Sequence, residues 1–222
     1  MRPLRSLAPI VSLAALAALP AISWIGPCTD AAEPASARAV DDFEDGDLGA
    51  PPGRGWFGVA DDQLGGASRV RLEPLAGGAD GSRGALRVSG RTAARDGGGF
   101  AGAWTMLSPE GGAADLSGHA AIRFRARGDG GSYSVQVRCT DGARAAHFGA
   151  PFTAGAEWTR FEIPLAGLAQ VPPATQPYEW TGRDAIALGF VAAGAGEFAF
   201  DLDGVELVPA APAAAATPGG GQ

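Results

Sequence analysis

Few residues in this chain are spaced for chemistry. The sequence has only two histidines, His119 and His147, and neither sits in a His-x-x-x-His or Cys-x-x-Cys frame of the kind a zinc site uses. Gly97-Gly98-Gly99-Phe100-Ala101-Gly102 satisfies G-x-G-x-x-G by letter, but no helix or distal acid follows, so it carries no dinucleotide site. No Gly-x-Ser-x-Gly elbow is present. Carboxylates are plentiful, yet none stands out as a pair for glycoside hydrolysis. The residues suited to recognition are tryptophans and arginines. Trp158 alternates with Arg160 and Glu162, and Arg123, Arg125 and Arg127 line an equivalent face. Trp56, Trp104 and Trp180 fall in or beside expected loops. Flat rings flanked by planar hydrogen-bonding groups suit a sugar or a similar small ligand. The expected ligand residues are Trp158, Arg125, Trp180 and Arg160.

The elements that must position them read as β-structure. Ala121–Arg127 alternates Ile122, Phe124 and Ala126 against three arginines. Tyr133, Val135, Val137 and Cys139 alternate with Ser134, Gln136 and Arg138. Phe161 and Ile163 form another apolar face, as do Leu188 with Phe190, and Phe198 with Phe200 and Leu202. Weaker strands run through Arg69–Glu73, Leu86–Ser89 and Gly102–Leu107. Gly128-Asp129-Gly130-Gly131 reads as a hairpin turn. About ten short strands without an amphipathic helix predict an all-β fold, an antiparallel β-sandwich or jelly roll.

Composition agrees. The 222 residues include 35 Gly and 17 Pro, too many breakers for a helical bundle, and 46 % are hydrophobic, enough for a core. The net charge of −7 argues against nucleic acid as partner. Arg2 and Arg5 precede an apolar run from Leu7 to about Gly26, so residues 1–37 read as a signal peptide with Ala35-Ser36-Ala37 at its cleavage site. The alternatives are a retained N-terminal membrane anchor or lipidation at Cys28; after cleavage no membrane insertion is expected. Export to the periplasm or the extracellular space follows. Residues 38–208 form the domain, expected to be monomeric, and the Pro/Ala/Gly-rich residues 209–222 a disordered tail. Cys139 is left as a small buried hydrophobe.

Several segments carry a family resemblance. Asp61-Asp62-Gln63-Leu64-Gly65-Gly66-Ala67-Ser68, Gly98–Gly102, Gly128-Asp129-Gly130-Gly131-Ser132-Tyr133, Phe152, Glu157-Trp158, Ile163-Pro164-Leu165 and Phe198–Leu207 occur in the order of the complex I intermediate-associated protein family. Leu64 stands where that family has Met, and Leu168–Trp180 replaces an Arg-Gly-Arg segment. The family is similar to galactose-binding-like jelly rolls, including carbohydrate-binding modules that open with Asp-Asp-Phe-Glu-Asp, here Asp41–Asp45. The resemblance implies a structural calcium (Ca2+) joining the opening and closing strands, with Glu44 and Asp203 as ligands and Asp42 added as a third. It implies a non-catalytic module that binds a glycan or, alternatively, a protein partner in assembly.

Overall fold

The computed structural model describes residues 37–51, 55–93, 99–172 and 176–211. The expected signal segment, Cys28 and the tail beyond residue 211 lie outside the described residues. Twelve strands follow one another: β1 Arg38–Asp41, β2 Trp56–Ala60, β3 Arg69–Ala76, β4 Gly84–Thr92, β5 Gly99–Met106, β6 His119–Gly128, β7 Ser132–Thr140, β8 Ala145–Thr153, β9 Thr159–Pro164, β10 Ala169–Gln170, β11 Ala185–Gly194 and β12 Gly196–Pro209. Among the described residues the remaining regular structure is three short 3-10 turns, Asp61–Leu64, Ala79–Gly81 and Leu165–Gly167. Every strand pairing is antiparallel. The first sheet runs β3-β4-β12-β6-β9, with β1 also on β12, and the second runs β10-β8-β7-β11-β5-β2.

The alternating runs behave as their pattern requires. In β6, Ile122, Phe124 and Ala126 are fully buried, while the arginines between them face outward. Side chains of both sheets meet in one core. Phe124 sets its ring edge-on to Phe152 and Phe190, at centroid distances of 5.0 and 4.9 Å, and stacks on Phe161 at 5.2 Å. Such aromatic pairs stabilise beyond the area they bury, by about 0.5–1.5 kcal/mol each. The β6–β7 hairpin turns where the glycines predict it, with Gly130 at φ 86°, a conformation that a side chain would strain. Asp129 closes the turn by accepting from the Gly131 N–H and the Tyr133 hydroxyl.

Four strands carried no clear alternation: β1, β2, β8 and β10. In β2, Phe57 and Val59 are apolar although they point away from the core, which erases the period of two. Trp56 opens β2 and Trp104 lies inside β5, so strands rather than loops hold both.

Candidate functional site

The outer face of the first sheet carries the arginine stripe, and its charges are spent on one another. The register aligns Glu73, Arg87, Asp201 and Arg127 as neighbours across β3, β4, β12 and β6. Asp201, 2 % exposed, accepts from Arg87 at 2.8 and 3.1 Å and from Arg127 at 2.9 Å. Trp158 lies one step before β9, and the Arg127 guanidinium sits 4.7 Å from the centre of its ring. Arg125 pairs with Asp80, Arg123 with both Glu162 and Glu206, and Arg160 with Glu162 at 3.6 Å. Trp158, Arg125 and Arg160 therefore share this surface, as their alternation implies. Trp180 does not join them. It packs against Phe148 of the second sheet at 5.3 Å, at the margin of the core.

A second feature is an acidic corner where β1 leaves the sheet. Asp42, Glu44, Asp80, Asp203 and Arg125 line a shallow depression of about 360 Å³. The three residues expected as metal ligands are thus neighbours, but their oxygens have partners. Glu44 accepts from both the backbone N–H and the guanidinium of Arg83, at 2.8 Å each, which holds its carboxyl below the usual range. Asp203, 3 % exposed, accepts the Ala79 N–H and the Ser82 hydroxyl, both at 2.7 Å. Asp42 accepts the Glu44 N–H. Calcium binds six to eight oxygens. Among the described residues no group of three or more His, Cys, Asp or Glu is placed to hold a metal. Arginine supplies the positive charge instead.

The outer face of the second sheet is different in kind. Three cross-strand rows cover it. One runs Phe57, Trp104, Gly189, Gln136, Gly149 over β2, β5, β11, β7 and β8. Its neighbours run Met106, Ala187, Arg138, His147 and Val59, Gly102, Val191, Ser134, Pro151. Trp104, Ala187 and Val191 form a small apolar cluster of their own, separate from the main core. The indole lies over Gly189, where a Cβ would stand 2.3 Å from the ring, and tilts against His147 at a centroid distance of 5.4 Å. Its Nε1–H is buried without an acceptor among the described residues. Gln136 crosses Gly149 in the same way, and Phe57 is 40 % exposed. Arg138 is exposed and pairs with no acid among the described residues. Burial, and secondarily Arg138, hold the His147 imidazole below the ordinary histidine range.

This face escaped the reading of alternation because β5 and β11 are apolar on both sides. That double apolarity is itself the signal: a strand that buries residues on both faces has a second apolar surface. Elsewhere the nucleophile candidates are inert. Cys139 is buried, and burial pushes its thiol up to about 12. His119 opens β6, with its Nδ1 buried and without a hydrogen-bond partner among the described residues.

Two antiparallel sheets enclosing an aromatic core, with one paired and one unpaired outer face, define a β-sandwich of the kind carbohydrate-binding modules use. The family 11 carbohydrate-binding module of a cellulosomal cellulase of Clostridium thermocellum superposes with a TM-score of 0.62 at 19 % identity, over 80 % of this chain and 97 % of that one. The module from the same organism in complex with a β-1,3-1,4-mixed-linked tetrasaccharide gives 0.60 at 19 %, over 80 % and 98 %. A family 30 carbohydrate-binding module gives 0.50 at 16 %, over 66 % and 78 %. At these identities the likeness is one of fold. No curated protein matches the sequence. Residues 44–203 match the profile of complex I intermediate-associated protein 30, and the chain belongs to that family.

Proposed function

We propose that the chain is an exported, non-catalytic glycan-binding module that takes its ligand across the outer face of the second sheet, around Trp104, Gln136, Arg138 and His147. One observation carries this reading. On the first sheet the outward arginines and acids satisfy each other, whereas on the second the exposed Arg138 guanidinium pairs with no acid among the described residues. A ligand site combines an apolar floor with a few polar groups free to bond. Here Trp104, Val191 and Ala187 form the floor, with the indole seated on Gly189 and Gln136 seated over Gly149. A sugar presents both an apolar face and hydroxyls to such a surface. Trp158, Arg125 and Arg160 offer a poorer site, because the two guanidinium groups already face acids and the Trp158 ring is covered by Arg127.

The test is glycan-array binding by the full chain, with Gln136→Ala as control. A defined sugar class that weakens in the variant supports the reading; a blank array from folded protein overturns it. A second reading, a protein-assembly module in keeping with the family's name, is favoured by Phe57. It is a large exposed apolar side chain on β2, an edge strand open to pairing. Capture of a partner that is lost in Phe57→Ser would support it.

A further inference from the structure

The two outer faces differ in charge content as well as in pairing. The chain carries a net charge of −7, and the first sheet sets Glu73, Asp201, Asp203, Glu206 and Glu162 outward among the arginines that pair with them. Across the three rows of the second sheet, no aspartate or glutamate occurs at any position. The charge there is Arg138, and its cross-strand neighbour is His147. An acid-free window in an acidic protein is a local condition that suits an anion, because no carboxylate on that face competes for the guanidinium or repels the ligand. Resting on the glycan reading of the same face, we infer that the ligand is an acidic glycan, a polymer bearing uronic acid carboxylates, with Arg138 receiving the carboxylate.

Guanidinium and carboxylate match as a two-point, charge-assisted pair. Arg138 stands one row from Gln136 on β7, so a carboxylate held by the arginine places neighbouring sugar hydroxyls over Gln136 and Trp104. His147 modulates the contact. Arg138 on β7 is the charged group acting on it, Trp104 of β5 lies against its ring, and β10 reaches it through the Val171 N–H on its carbonyl. At neutral pH it is an uncharged hydrogen-bonding group. Its second positive charge arrives only as pH falls below the ordinary histidine range, so affinity for an anion rises on acidification.

The experiment compares polygalacturonate with the same polymer fully methyl-esterified, using the full chain in affinity electrophoresis or calorimetry at low salt. The expected result is binding of the acid form, at least tenfold weaker binding of the ester, and loss of that preference in Arg138→Gln. The variant keeps the parent melting temperature, because Arg138 is exposed and unpaired. Equal affinity for acid and ester overturns the anionic class and leaves the glycan reading standing. Equal capture of poly-glutamate shows that charge alone is read, and overturns the sugar component. A folded chain that retains neither polymer, and is blank on the array as well, takes both readings down.

Discussion

The indole of Trp104 rests on the bare backbone of Gly189, its cross-strand neighbour: a Cβ at 189 would lie 2.3 Å from Cδ2 and 2.4 Å from Cε2. The ring is 7 % exposed and forms the floor of the second sheet's outer face. Gly189→Ala must lift it. The cost is that of overpacking, about 1–3 kcal/mol. A urea midpoint that falls accordingly, together with weakened glycan binding, is the expected outcome. An unchanged midpoint would mean that the indole does not lie there.

Asp201 holds the first sheet's charges together. Its carboxylate is buried between Arg87 and Arg127, whose side chains are 43 % and 37 % exposed. Asp201→Asn keeps the shape but removes the charge, leaving two guanidinium groups short of their acceptor. Because both arginines reach solvent, the loss is moderated to about 1–2 kcal/mol. The Arg127–Trp158 stack should loosen too, and the indole N–H resonance of Trp158 would report it. A variant as stable as the parent would show that the ladder is decoration.

Asp41 gives a pH dependence of the less common sign. It is 2 % exposed and accepts from the Trp56 indole at 2.8 Å and the Phe43 N–H at 2.7 Å. Burial outweighs those bonds and pushes its carboxyl from 3.8 to about 6. Between those values the folded chain holds a proton that the unfolded chain has released. The group's contribution is therefore complete below pH 3.8 and is lost as pH rises through about 6. Denaturation at pH of about 5 and about 7.5 should shift stability toward the lower pH in the parent relative to Asp41→Asn. Acids held low by their partners, such as Glu44 and Asp141, act at lower pH. His147, held below the ordinary histidine range, works in the opposite direction within this window, so the reading is the parent's difference minus that of Asp41→Asn.

At the acidic corner, thermal melts in calcium and in chelator should coincide, since Arg83 holds both oxygens of Glu44, and Ala79 and Ser82 both bond Oδ2 of Asp203. A melting temperature that rises with calcium would mean that Glu44 exchanges Arg83 for the ion. Arg83→Gln provides a contrast, because it frees one carboxylate without touching the core.

The architecture was legible wherever one strand face is apolar and the other polar. Ile122, Phe124 and Ala126 against three arginines can be satisfied only by a half-buried strand, and the Gly128–Gly131 turn follows from glycine's tolerance of positive φ. That Trp158, Arg125 and Arg160 share a face is a consequence of the same period of two, since register along a strand is local. What each of those residues does is not local. Whether an arginine is free to bind or already paired depends on what β12 presents opposite it, and Asp201 lies 74 residues from Arg127. Only the antiparallel register brings them together. The same holds for Trp104, whose place over Gly189 is set by pairing between β5 and β11, and for Trp180, which the loop after β10 folds back onto Phe148. Periodicity along the chain determined which side chains face away from the core, and the pairing of strands distant in sequence decided which of those were left with nothing to hold.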